Sequence, residues 1–145
     1  MNMLEKQSIH QLLDAWKVDE NRFPQIEHIH TTEEKEAIYA PFPETMHSSI
    51  QKALKSRGVN QLYIHQRLAF DSASSGKSYT TITPTASGKS LCYHLPVLQS
   101  IMEDPTSRAI YLFPTKALAQ DQKSDLNNLI EATGEEILSY TYDGD

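Results

Sequence analysis

Lys89 and Ser90 are the residues of this 145-residue chain whose types and spacing speak most directly of chemistry. They close the run Pro84, Thr85, Ala86, Ser87, Gly88, Lys89, Ser90. Ala86, Ser87 and Gly88 are small enough to let the backbone wrap a bound group, and Pro84 cannot extend a strand ladder. A strand, a small-residue loop, Gly-Lys-Ser and a helix together form a phosphate-binding loop, in which N–H groups at a helix N-terminus and the helix dipole face an anion. There Lys89 reaches the β- and γ-phosphates and the Ser90 hydroxyl holds Mg²⁺. The general motif begins with Gly, and its first position here is Thr83. A strand-to-helix turn with an incidental Lys would also write this run.

The elements that must position the loop can be read on either side of it. Thr80 to Thr83 are β-formers and predict a short strand entering the loop. Lys89 to Glu103 predicts the helix leaving it, with Leu91, Leu95, Leu98, Ile101 and Met102 as apolar positions. Pro96 falls inside that helix, removes a hydrogen bond to Cys92, and costs about 3 kcal/mol if nothing compensates. A second Gly-Lys-Ser, at Gly76 to Ser78, follows a helical stretch and precedes the strand. That order is wrong for phosphate, and Gly76 reads as a helix-ending residue.

Further along, Arg108 to Phe113 is a largely apolar run suited to a strand buried on both faces. Pro114 to Lys116 make a turn, Ala117 to Thr133 a helix closed by Gly134, and Glu136 to Tyr142 the next strand. Alternating strands and helices at these spacings predict crossover units and a parallel sheet. Upstream, Thr45 to Arg57 reads as a helix closed by Gly58, and Leu62 to Gln66 opens another running to Ser75. Gln66 offers a donor and an acceptor, the pair that the N6 and N7 edge of adenine requires; a Gln in a first helical turn is also an ordinary surface residue. Met3 to Lys17 predicts one amphipathic helix, with Ser8 and Gln11 as a capping box partway along. Ala40 to Glu44 is an extended connector. His28 and His30 would share a strand face, but no third ligand accompanies them, so they read as solvated or structural.

Composition limits the rest. No apolar run approaches a membrane span and the first ten residues lack a signal-peptide core, so a cytoplasmic protein is expected. Cys92 is the single cysteine. It excludes a disulfide framework and reads as a small apolar residue on the helix after the loop. The net charge of −6 conceals a division. Residues 49–100 carry 6 basic and 1 acidic side chains, whereas 1–48 carry 4 and 9 and 101–145 carry 3 and 9. A basic zone beside a phosphate loop serves ATP or a nucleic-acid backbone, and charge alone does not choose.

Three blocks together resemble a known family, the superfamily 2 DEAD/DEAH-type helicases. LYIHQ at 62–66 is similar to the adenine-reading Q motif, TPTASGKS at 83–90 to motif I, and FPTKALAQDQ at 113–122 to motif Ia. Within the family the chain resembles bacterial helicases of the mitomycin repair factor A type, related to the Hrq-type DNA helicases, whose pattern includes the YDGD that ends it. Ala86 for Gly and Ser90 for Thr depart mildly from the commoner pattern. The resemblance implies that Gln66 reads adenine, with Tyr63 or a nearby side chain packing near the base. It implies that Thr85, Ala86, Ser87, Gly88, Lys89 and Ser90 cradle the phosphates of ATP, that Lys89 is catalytic through charge neutralisation, and that Ser90 binds Mg²⁺. Pro114, Thr115, Lys116 and Gln120 would lie along a DNA strand. Its fold would be α/β, a partial RecA-like P-loop domain with a parallel sheet at 43–145, preceded by a helical N-terminal extension at 1–42. The chain stops before a Walker B pair and the second motor domain, so it reads as the front piece of an ATP-dependent DNA helicase acting in DNA repair. Weak or no ATP hydrolysis by this chain alone is expected. An RNA helicase and a truncated non-catalytic nucleotide-binding module are the alternatives; a P-loop kinase leaves the Q motif and motif Ia likenesses unexplained.

Overall fold

Helix formation follows the apolar spacing and the stop signals closely. In the computed structural model, residues 9–18, 30, 36–84 and 87–142 are described. The chain divides into two compact units, 1–36 and 37–145. In the first, α1 spans Ile9–Val18, with Ile9, Leu12, Leu13 and Trp16 at helical spacing on one side. The Ser8 of the expected capping box and His28 lie outside the described residues.

The second unit holds β1 (Tyr39–Ala40), α2 (Ser48–Ser56), β2 (Leu62–Tyr63), α3 (Ile64–Ser74), α4 (Lys89–Glu103) and α5 (Lys116–Thr133). β1 and β2 pair antiparallel, Tyr39 opposite Tyr63 and Ala40 opposite Leu62. This pairing was not read from the sequence, which predicted an extended connector at Ala40 and a helix from Leu62. Gly76 lies just beyond α3 with φ +69°, a conformation that ends helices. The Gly-Lys-Ser at 76–78 is therefore a helix terminus, as its order implied.

The helices pack around Met46, Ile50, Ala53, Leu54, Leu62, Phe70, Leu95, Leu98, Leu126, Leu129 and Ile130. The α3–α4 and α2–α5 contacts dominate this core. Gln99 of α4 ties it to the connector: its Oε1 accepts from His47 N at 2.8 Å and its Nε2 donates to Thr45 O at 3.0 Å. Pro96 is tolerated within α4 because the carbonyl it deprives of an amide donor, Cys92 O, accepts from the Tyr79 hydroxyl at 2.6 Å. Cys92 itself is buried and free, and burial pushes its thiol pKa up, as suits a packing residue rather than a reactive one.

The expected parallel sheet requires correction. The segments at 80–83, 108–113 and 136–142 are not strands, and the only described sheet is the two-stranded β1–β2 pair. Their alternation nevertheless survives. Tyr111 and Ile137 pack on the core, while Ile82 (91% exposed), Ile110 (88%), Leu112 (89%) and Tyr140 (84%) face away from it. The period-2 pattern sets which side chains turn inward, but a ladder also needs a neighbouring backbone for each N–H and C=O. Among the described residues these segments take part in no such ladder. Nor, among the described residues, is any helix long and apolar enough to cross a membrane.

Candidate nucleotide site and nucleic-acid interface

Two elements converge on the loop before α4. From the first turn of α3, the buried Gln66 carboxamide spans a gap between chain segments. Its Oε1 accepts from Tyr63 N at 3.0 Å, half of a capping box, and its Nε2 donates to Gly88 O at 2.9 Å. His65 Nε2 lies 2.9 Å from Ser87 O. A carbonyl only accepts, so the Nε2–H form of His65 is required. Neighbouring residues of α3 thus grip successive carbonyls of the loop. Gly88 is demanded twice over: its φ is +70°, and a Cβ there would sit 2.6 Å from Gln66 Nε2.

The loop also holds itself. Thr83 Oγ1 and Ser87 Oγ share a hydrogen bond at 2.6 Å, and Lys89 Nζ donates to Thr83 O at 3.0 Å and Pro84 O at 2.6 Å. The ammonium therefore rests on the loop's own carbonyls, and these contacts must exchange for it to serve an incoming anion. Ser90, half-buried, follows Lys89 in the opening turn of α4. Thr85 and Ala86 lie outside the described residues. Of the sequence-predicted phosphate-loop residues, Ser87, Gly88 and Lys89 gather with Gln66.

Beside Gln66 stands a column of three rings. Tyr63 stacks on Tyr39 with centroids 5.0 Å apart and on His65 at 5.5 Å. The sequence offered Tyr63 as a neighbour of the base; Tyr39 joins it only through the β1–β2 pairing. His65 and Thr83 stood inside the quoted motifs but were given no part in holding the loop. The position of His65, next to Gln66 and in a first helical turn, is the signal that could have found it.

The 114–120 group assembles at the start of α5. Thr115 caps the helix, its Oγ1 accepting from Leu118 N at 3.2 Å, while Pro114, Lys116 and Gln120 are exposed. α4 and α5 are joined by Tyr93, whose hydroxyl donates to Gln122 Oε1, and Tyr93 packs edge-on against His94 and Tyr111. His94 Nδ1 lies 3.3 Å from the Tyr111 hydroxyl, and its Nε2 is buried without a described partner. Burial lowers the His94 pKa to about 4, against an opposing pull from Asp125 and with slight help from Arg57. Burial likewise pushes the Tyr111 phenol up. α4 is thereby tied to the segment that leads into Pro114. Among the described residues no three His, Cys, Asp or Glu side chains gather as a metal site.

Comparison with known proteins sets this arrangement in a wider group. A DEAD/DEAH box helicase family model matches residues 63–145. The chain is 51% identical over 142 residues to the ATP-dependent helicase YprA of Bacillus subtilis, covering 98% of this chain and 18% of that protein. It is 38% identical over 143 residues to the ATP-dependent helicase hrq1 of Schizosaccharomyces pombe, covering 95% and 14%. Among solved structures it is similar to the DUF1998 helicase MrfA bound to DNA and AMPPNP, with a TM-score of 0.85 at 52% identity, over 96% of this chain and 19% of that one. The chain thus spans less than a fifth of the length of these relatives.

Proposed function

Because the chain belongs to the DEAD/DEAH box helicase family, we propose that it forms the ATP-binding front part of the first motor domain of an ATP-dependent DNA helicase that serves in DNA repair. The observation that carries this reading is the grip of Gln66 on Gly88 O. It joins the adenine-reading element to the phosphate loop in one hydrogen-bonded unit. In this reading Gln66 turns its remaining donor and acceptor capacity to the adenine edge, beside the Tyr63 ring. Thr85 to Ser90 wrap the phosphates, and Lys89 leaves Thr83 O and Pro84 O to neutralise them. The donor set fits a Mg²⁺-nucleotide: small residues, an ammonium, a hydroxyl and a helix N-terminus converge on one loop. Bound at Ser90, Mg²⁺ supplies charge neutralisation to the phosphates.

Pro114, Thr115 and Lys116 track a DNA strand with Gln120 close by, contacts that position without reading sequence. Support comes from the relative crystallised with DNA and AMPPNP. The outward apolar residues Ile82, Ile110, Leu112 and Tyr140 support the placement within a larger domain, because further strands and helices would cover them. Phosphoryl transfer works through positioned charge, so hydrolysis requires groups beyond those of this segment. The test is calorimetry with Mg²⁺-ATP, beside Lys89→Ala and Gln66→Ala shown to be folded by circular dichroism. The expected result is binding lost in the first and weakened in the second; unchanged binding in Lys89→Ala sinks the reading. For the parent protein, stimulation of hydrolysis by DNA but not RNA is expected, and the reverse would assign an RNA helicase.

A further inference from the structure

Thr83 holds two of the side chains that the proposed function directs at phosphate. Its hydroxyl shares a hydrogen bond with Ser87 Oγ at 2.6 Å, and its carbonyl accepts from Lys89 Nζ at 3.0 Å. Local geometry fixes both oxygens. Pro84 restricts Thr83 to extended backbone, which aims the carbonyl, and the branched Cβ of threonine restricts the rotation that aims the hydroxyl. The general motif carries Gly at this position, which could offer Lys89 the same carbonyl but nothing to Ser87. His65 and Gln66 act differently, because they take the carbonyls of Ser87 and Gly88, groups that an anion does not seek. Those grips can persist when phosphate binds. The contacts of Thr83 with the Ser87 hydroxyl and the Lys89 ammonium must exchange.

We propose that Thr83 is a latch, a positioning residue whose hydroxyl sets how readily Ser87 and Lys89 are released to a nucleotide. The proposal deepens the reading of this loop as an ATP site and rests on it. For Lys89, release replaces a neutral carbonyl with a phosphate oxygen, and a charge-assisted hydrogen bond takes the place of a weaker one. The bond between Thr83 and Ser87 is neutral on both sides and belongs to the latched form alone. It therefore sets a ratio between a latched form and a released form that takes phosphate. A nucleotide that binds the released form has its apparent affinity reduced by the fraction of protein in that form. One such hydrogen bond changes that fraction by about 5-fold.

The experiment is stopped-flow binding of N-methylanthraniloyl-ATP with Mg²⁺ to the full-length parent protein, without nucleic acid. Thr83→Val keeps the branched shape and the carbonyl and deletes only the hydroxyl. It is expected to raise the association rate and tighten the affinity by about 5-fold, with the dissociation rate unchanged because the latch is absent from the bound form. Thr83→Ser, which keeps the hydroxyl, should bind as the unmodified protein does. Ser87→Ala should also speed association, and combining it with Thr83→Val should add nothing further, since both remove one bond. The direction of the change is decisive: a hydroxyl that merely supported the loop would weaken binding when removed. Weaker or unchanged binding in Thr83→Val, with binding still lost in Lys89→Ala, overturns the latch and leaves the ATP site standing. Binding that survives in Lys89→Ala brings down the site itself. Should the urea midpoint show Thr83→Val to be misfolded, Thr83→Ala beside Thr83→Ser decides by the same sign.

Discussion

The substitution Gln66→Glu isolates the grip on the phosphate loop with hardly any change of shape. Glutamate keeps an oxygen to accept from Tyr63 N but places its second oxygen where Nε2 stands, 2.9 Å from Gly88 O. A donor–acceptor contact becomes an acceptor–acceptor contact in a site only 2% exposed. Losing the hydrogen bond costs about 1 kcal/mol, and burying an unsatisfied oxygen beside a carbonyl adds about 1–3 kcal/mol. The loop conformation should therefore be disfavoured by about 2–4 kcal/mol, roughly 30- to 1000-fold in nucleotide affinity. The sign with pH follows from the same contact. Only the protonated form of the introduced carboxyl could donate to Gly88 O, so folding with the loop in place raises its pKa above the unfolded value. The penalty is then full at high pH and is relieved as pH falls through the raised pKa. Calorimetry with Mg²⁺-ATP and Mg²⁺-ITP at pH 8, 7 and 6 separates the two roles of the residue. Loss of both nucleotides at pH 8 with partial recovery at pH 6 is expected, because the grip acts on the phosphates. Loss confined to ATP, or a pH-independent deficit, would refute the loop argument.

Other expectations follow from single contacts. Gly88→Ala puts a Cβ 2.6 Å from Gln66 Nε2 at φ +70° and should weaken Mg²⁺-ATP binding at least about 10-fold. Gly58→Ala, equally strained at φ +79° but meeting nothing within 4 Å, should leave binding unchanged. Tyr79→Phe strands the Cys92 carbonyl that Pro96 cannot serve; a loss of about 1–2 kcal/mol in urea unfolding is expected, and none would mean that α4 closes this gap unaided. His94 titrates at about 4 when folded and near 6.5 when unfolded, so the unfolded chain binds the extra proton. Stability is thus full above about pH 6.5, falls as pH drops towards 4, and levels off below, by about 3 kcal/mol in all. The corresponding slope in urea midpoints should disappear in His94→Leu.

Much of this chain could be read one residue after another. The bounds of α4 match the predicted Lys89 to Glu103, and Gly76 ends α3 as its place after a helical stretch required. These features depend on backbone preference and on side chains three or four positions apart, information that local sequence carries in full. The entry into α4 after Gly88 was legible for the same reason, and the Gly-Lys-Ser at 76–78 lies at the helix end where its order put it.

Tertiary structure decided what depends on a second backbone. Ile110 and Leu112 alternate with Tyr111 as a strand should, yet strand propensity cannot supply the neighbour to which a ladder must bond. Tyr39 entered the ring column only because Ala40 meets Leu62 across 22 residues. Gln66 could be recognised as a carboxamide able to read adenine, but its grip on Gly88 depends on how α3 and α4 pack. Residue types record which hydrogen bonds a side chain can make; the meeting of distant segments around a shared core determines which ones it does make.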